Sequence, residues 1–219
     1  MKTKIIDLTR ILNHQMTMYP GTPQPKLEVM YTVENDGFSE YMLSMVSHTG
    51  THIDAPCHIL KNTKSIDRFP VDKFIGSAMV IPCRDQKEIS LAYLKTFEHQ
   101  ISQVDFVLFF TGWQDKWNTN GYSENCPTLS MDAAKWLAEF SLKGIGFDAF
   151  SVDHIGSAEK VTSENLPYHY MFLEKEILLI ENLTNLDQLP DDIFTFHCLP
   201  LYLENVDGSP VRAVAIINE

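Results

Sequence analysis

The stretch SHTGTHIDAPCH, Ser47 to His58, sets three histidines and an aspartate within twelve residues, with one glycine and one proline among them. How this piece folds decides what the rest of the chain is for. A helix would bring His48 and His52 together at i, i+4, as in the HExxH metal motif, but Gly50, Pro56 and the β-branched Thr49, Thr51 and Ile53 weigh against a helix. In an extended chain residues 48, 52, 54 and 58 share one face, yet that length of strand spans roughly 33 Å, too far for one metal site. The segment therefore has to fold back on itself. Gly50 opens backbone conformations closed to other residues and Pro56 fixes its own φ, so the two predict bends on either side of a short extended piece, His52-Ile53-Asp54. His52 and Asp54 then project together, with His48 and His58 swung in from the flanks. Imidazole and carboxylate at this density suit a divalent first-row metal such as Zn²⁺ or Mn²⁺ better than Ca²⁺ or Mg²⁺, which take oxygen ligands throughout. The competing reading is a hydrogen-bonded His/Asp cluster that holds no ion.

Around this segment the chain runs to 219 residues, and its 44% apolar content suits one substantial core. No repeat, low-complexity tract or Gly/Ser linker divides it, so residues 1–219 read as a single domain. KIIDLT, KLEVMYTV, EYMLSMVS, SAMVIPC, DFVLFF, GIGFDAF, EILLIENL, IFTFHCL and VRAVAII have strand character, being rich in Val, Ile, Phe or Tyr and bounded by turn residues. Helices are fewer. Ser130 is a candidate N-cap before Ala133, Trp136, Leu137 and Phe140, apolar at i, i+3, i+4 and i+7, and Ser90 is another before Leu91, Leu94 and Ile101. Strands interleaved with about two or three helices predict a mixed α/β domain. Asp207-Gly208 reads as a hairpin turn between LPLYLEN and VRAVAII, which makes part of the sheet antiparallel. The long polar segment from Gly112 to Thr128 is placed near the site; its Trp113 and Trp117 are candidates to line a pocket, whereas Trp136 belongs to a helix stripe.

A formal charge of −12 repels phosphate backbones and anionic bilayers, which argues against nucleic-acid and membrane partners. No apolar run approaches the roughly 18 residues of a membrane span. The N-terminal MKTKIIDLTRIL is interrupted by Asp7 and Arg10 too soon for a signal peptide, so a cytoplasmic location is expected. Cysteines 57, 83, 126 and 198 form no CxxC pair and indicate neither a disulfide framework nor a sulfur-rich zinc site. The isolated His14 and His99 read as surface or hydrogen-bonded core residues and not as ligands.

Written as a pattern, the opening stretch is HxGTHxDxPxH. It resembles the signature of the metal-dependent cyclase family that contains bacterial kynurenine formamidase and isatin hydrolase, with every residue type and spacing met by His48, Gly50, Thr51, His52, Asp54, Pro56 and His58. YPGTP from Tyr19, GIGFDAFSVD, HYMFLEKEILLIENL and LPLYLENVDGSPVRAVAI extend the resemblance over nearly the whole chain. It implies a mixed α/β fold of the swivelling β/β/α type, with a central sheet closing partly into a barrel, flanking helices and the site at one end. It also implies one or two divalent ions, Zn or Mn. His48, His52 and Asp54 would hold the first. His169, twelve residues before Glu181, would belong to the second, and Asp54 and Glu181 would bridge both. Glu181 ends a predicted strand, where a buried carboxylate calls for a cation or a donor. His58 would be the acid/base. Tyr19 stands where the kynurenine formamidases carry tryptophan over the substrate's aryl ring; it keeps the stacking face and adds a hydroxyl.

The activity implied is hydrolysis of a C–N amide bond in a small aryl formamide by activated water, with His58 moving the proton. The partner is a small molecule, an aromatic or cyclic amide. A ring-opening hydrolase of the isatin hydrolase kind, or another cyclase or lyase, would use the same groups. A metal-stabilised binding protein is the alternative outside enzymes. The resemblance further implies a homo-oligomer, a dimer or larger. Cys57 beside His58 suggests a nucleophilic pair, but neighbours on an extended chain point to opposite faces. Asp148 and Asp153 read as groups that organise a turn or support the metal ligands.

Overall fold

The computed structural model describes residues 2–124, 126–154, 162 and 164–218. The strands are β1 (Thr3–Asp7), β2 (Lys26–Tyr31), β3 (Glu40–Ser44), β4 (His52–Asp54), β5 (Ile75–Pro82), β6 (Glu88–Ile89), β7 (Phe106–Phe110), β8 (Thr128–Leu129), β9 (Gly144–Phe147), β10 (Leu178–Glu181), β11 (Phe194–His197), β12 (Gly208–Pro210) and β13 (Val214–Asn218). Between them lie α1 (Val33–Asp36), α2 (Leu91–Lys95), α3 (Glu98–Ile101), α4 (Met131–Leu137) and α5 (Pro167–Glu174).

Nine strands form one curled sheet in the order β1-β13-β11-β5-β7-β9-β10-β4-β12, a half-barrel. β5, β7, β9 and β10 run parallel at its centre, and every other pairing in this sheet is antiparallel. The parallel strands are buried on both faces, which is why FVLFF and its neighbours read as continuous apolar runs without alternation. Their side chains divide by parity between two cores. Met79, Ile81, Val107, Phe109, Ile145, Phe147 and Leu179 pack under the helices with Leu94, Ala133, Leu137 and Phe172. Ala78, Val80, Phe106, Leu108, Leu178 and Ile180 fill the inside of the curl with Ile6, Ile53, Phe196 and Ala215. The Phe109 and Phe147 rings stack at 4.7 Å, and truncating either to alanine costs about 3–5 kcal/mol of stability.

Ser130 and Ser90 do cap helices: Ser130 Oγ accepts from Ala133 N and Ser90 Oγ from Tyr93 N. The second helix is shorter than its apolar spacing suggests, because the chain breaks at Thr96-Phe97 and restarts as α3. KLEVMYTV and EYMLSMVS are strands, as their composition predicts, and pair with each other as a separate two-stranded ribbon, β2–β3, outside the main sheet. One sequence expectation needs correction. LPLYLEN is not a strand and Asp207-Gly208 is not its hairpin turn. The turn falls at Asn205, which takes the left-handed conformation at φ 57°, and Gly208–Pro210 leaves it to pair antiparallel with β4. Antiparallel pairing at this end of the sheet holds, with a different partner.

Candidate metal centre

β4 is only three residues long, yet it lies between β10 and β12, opposite Leu179–Glu181 on one side and Gly208–Pro210 on the other. Gly50 makes the bend before it at φ 65°, and a Cβ there would sit 2.4 Å from Leu12. After it, Ala55 and the short 3₁₀ turn Pro56–His58 carry the chain round. The extended His52-Ile53-Asp54 between two bends is the local structure that the sequence predicts. Ile53 points into the core at 0% exposure, so His52 and Asp54 share the other face.

The structure brings His48, His52, Asp54, His58, His169 and Glu181 together around one cavity of about 510 Å³, with Tyr19 on its rim. Asp54 Oδ1 lies 2.6 Å from His48 Nδ1 and 3.3 Å from His52 Nε2, while Oδ2 faces His169 Nε2 at 3.5 Å. Glu181, on the adjacent strand, repeats the arrangement: Oε2 is 3.5 Å from His52 Nε2 and Oε1 is 3.6 Å from His169 Nε2. Both carboxylates thus reach from the His52 side of the site to the His169 side.

Each imidazole is held by a bond at its other nitrogen. His52 Nδ1 is 2.8 Å from the Gly50 carbonyl, which also accepts from Asn182 Nδ2. His169 stands on the first turn of α5, where Asp153 accepts from the Tyr168 and His169 amides and lies 2.7 Å from His169 Nδ1. A carboxylate at a helix N-terminus satisfies donors that have no partner within the helix, and here it also turns the imidazole so that Nε2 faces Asp54 and Glu181. Asp148 does the other task expected of this region. It is fully buried and accepts from Thr111 and from the Gln114 amide, fixing the start of the 112–128 segment.

That segment backs the site without lining it. Neither Trp113 nor Trp117 borders the cavity: Trp117 packs under Arg10 and edge-on to Tyr122, whose hydroxyl donates to Asn182 Oδ1. Trp136 packs on the helical core as its stripe implies. Cys57 faces the Val206 carbonyl, away from the cavity that His58 lines. His14 and His99 are exposed and remote from the cluster.

The charges are unevenly held. Burial opposes ionisation of Asp54, but His48 and then His52 outweigh it and hold the carboxyl well below its usual range. Glu181 moves the opposite way, raised by burial and then by the charge of Asp54. Burial disfavours charge on His48, yet Asp54 and a hydrogen bond to Asp207 outweigh it and push the imidazole up to about 10. In His169 burial is outweighed first by the bond to Asp153 and then by Asp54, again to about 10. Asp54 Oδ2 is enclosed without a hydrogen-bond partner. A divalent cation held by these carboxylates would give Asp54 Oδ2 a partner and offset the repulsion between Asp54 and Glu181. The donor set of imidazoles and carboxylates therefore fits such an ion.

Two residues here escape a reading of sequence alone. Asp207 lies 3.1 Å from His48 Nε2 and 3.3 Å from His58 Nδ1 through one carboxylate oxygen, though its sequence signal is that of a turn. Asn182, next to Glu181, is buried at φ 58° and ties Tyr122 to Gly50.

A half-barrel whose strands β4 and β10, with β12 at the sheet's edge, gather imidazoles and carboxylates around a cavity fits a metal-dependent hydrolase class of site, and comparison with known proteins agrees. Residues 6–154 match the family model described as putative cyclase. The chain is 33% identical over 210 residues, 95% of either chain, to a kynurenine formamidase of Bacillus mycoides strain KBAB4. Among solved structures it is similar to isatin hydrolase A from Labrenzia aggregata bound to benzyl benzoate, with TM-score 0.86 and 25% identity over 99% of this chain and 94% of that one. It is also similar to a predicted metal-dependent hydrolase from Bacillus stearothermophilus, with TM-score 0.80 and 25% identity over 99% of each chain. The chain belongs to the cyclase family.

Proposed function

We propose that this chain is a metal-dependent hydrolase that cleaves the C–N amide bond of a small aryl formamide. The observation that carries the reading is the pair of carboxylates, Asp54 and Glu181, each reaching from His52 to His169. His48, His52 and Asp54 would hold one ion, Zn²⁺ or Mn²⁺, and His169 would hold a second, with Asp54 and Glu181 shared. Such an ion supplies Lewis acidity, lowering the pKa of water and polarising a carbonyl. The chain's own groups do the rest. His58 lines the cavity with Nδ1 turned toward Asp207, which leaves Nε2 free to take a proton from the attacking water and return it to the departing nitrogen. Met18, Tyr19, Pro23, Val46 and Phe150 make an apolar wall suited to an aryl ring, with Tyr19 and Phe150 edge-to-face at 6.1 Å.

Residues 1–219 act as one unit in this reading, in the cytoplasm, as a homodimer or larger. The β2–β3 ribbon supports self-association: Val29, Tyr41 and Leu43 on one face are all more than half exposed, and a lone two-stranded ribbon is marginal in water. Among the described residues no helix is long and apolar enough to cross a membrane.

The test is hydrolysis of N-formylkynurenine and isatin side by side by Zn²⁺- and Mn²⁺-loaded protein, with a chelated sample and His58→Ala as controls. The formamidase reading expects chelator-sensitive turnover of the formamide that His58→Ala abolishes while metal content is retained. The likeness to isatin hydrolase A favours ring opening as the second reading, and turnover of isatin alone would establish it. Turnover of neither by metal-replete protein would leave the metal site standing and move the search to other small amides, esters and lactones.

A further inference from the structure

The reaction proposed above uses Asp207 only as the group that His58 Nδ1 faces, yet this carboxylate is built into the site from several directions. Its backbone carbonyl accepts from Ala55 N at 2.8 Å, directly after β4, and its Oδ1 accepts from Ser47 Oγ at 2.8 Å, directly before His48. The next residue is Gly208, which pairs with Asp54. A Cβ at Gly208 would lie 2.7 Å from the Ile53 carbonyl and 2.8 Å from His48 Cε1, so strand and imidazole are already in contact. Oδ1 being taken, Oδ2 is left pointing between two imidazoles, 3.1 Å from His48 Nε2 and 3.3 Å from His58 Nδ1. The two rings lie 4.0 Å apart at 39°.

Without an ion, His48 can carry a proton on each nitrogen, one toward Asp54 and one toward Asp207; with an ion held at Nδ1, one tautomer pattern fits this geometry. His48 presents Nδ1 to the Asp54 side of the centre, so its proton belongs on Nε2, where Oδ2 accepts it. His58 turns Nδ1 toward the same carboxylate oxygen, which can only accept, so its proton belongs on Nδ1 and Nε2 is left bare. We propose that Asp207 is a positioning residue that fixes the tautomers of His48 and His58 together, and so ties occupancy of the metal centre to the readiness of the base. The inference rests on the hydrolase reading for its catalytic half and on geometry alone for its tautomer half.

The experiment separates the two. Long-range ¹H–¹⁵N correlation spectra of the zinc-loaded protein report which ring nitrogen of each histidine carries hydrogen, independently of turnover. The wild type should show His48 protonated at Nε2 and His58 at Nδ1. In Asp207→Ala, His58 should move toward the Nε2–H form, with kcat down about 10- to 100-fold and KM within about threefold. Asp207→Asn, which keeps the shape and one acceptor, should fall between the two and covers the case in which the alanine variant does not fold. Unchanged His58 tautomer in a folded variant overturns the proposal, as does a rise in KM with kcat intact. A moved tautomer in a protein whose wild type hydrolyses none of the compounds offered sustains the positioning role and removes the formamidase reading instead.

Discussion

His52 and His48 are four residues apart and face the same carboxylate, yet they are held in different ways. His52 is enclosed and bonded to the Gly50 main chain, within a scaffold of Asn182 and Tyr122. His48 is a fifth exposed and bonded to Asp207, itself two-fifths exposed. The contrast runs through the site. His52, His169 and Glu181 form an inner half fixed by backbone and by buried Asp153, and His48, His58 and Asp207 form an outer half fixed by side chains that solvent reaches. Asp54 belongs to both, since each candidate ion-binding trio, His48/Asp54/His58 and His52/Asp54/Glu181, contains it. In the proposed function the inner half would supply most of the ion's ligands, and the outer half would add His48 to them and His58 as the base.

Breaking the shared residue should therefore have the largest effect. Asp54→Asn is expected to remove at least one ion per chain and to abolish turnover; unchanged stoichiometry by elemental analysis would sink the dinuclear arrangement. Its counterpart on the inner side alone is Glu181→Gln. It should cost the thermal stabilisation that saturating metal confers, about 2.7 kcal/mol at a hundred times Kd, while leaving the chelated protein's melting temperature intact. A calorimetric scan with and without zinc distinguishes this from a simple folding defect.

A smaller loss is expected in the outer half. His58→Ala should keep its metal and lose about 10²- to 10⁴-fold in kcat. Should metal content fall instead, His58 is a ligand, and the division of labour drawn above is misplaced.

Acidity sharpens the comparison further. His48 and His169, at about 10 in the chelated protein against an ordinary 6.5, contribute stability that is fully present below pH 6.5 and is lost as pH climbs toward 10. Metal affinity should rise through the same window, because ligation needs neutral imidazoles. Zinc binding at neutral pH should thus release protons, seen as a calorimetric enthalpy that changes with the buffer. An enthalpy independent of buffer would mean that these imidazoles are already neutral.

The mildest change lies on the cavity rim. Tyr19→Ala should raise KM for an aryl substrate about 2- to 12-fold, the worth of one aromatic contact, whereas Tyr19→Phe should stay near wild type. Steady-state kinetics on the two variants separates stacking from the hydroxyl.

Much of this site was legible because its chemistry is dense in sequence. The Gly50 and Pro56 bends around His52-Ile53-Asp54 follow from backbone sterics alone, and the apolar runs of β5, β7 and β10 announce strands of a mixed α/β domain. Glu181 stood out as a charge at the end of such a run. Asp207 did not, because a turn-type dipeptide looks the same whether it ends a hairpin or supports a histidine 159 residues away. The separate β2–β3 ribbon was equally hidden: its residues have ordinary strand propensity, and propensity does not say which sheet a strand will join. Asp153 was half legible, as a turn organiser whose helix only the fold supplies.

The pairing of β12 with β4 also sets an order of events during synthesis. A nascent chain that has reached residue 181 already holds every candidate ligand, including both carboxylates, Asp54 and Glu181. It still lacks the strand that closes over His48 and the carboxylate that orients it. Until residues 207 to 210 emerge, the proposed metal centre would have its histidines in place without the contacts that hold His48, so an ion bound at that stage would meet fewer constraints than in the folded chain.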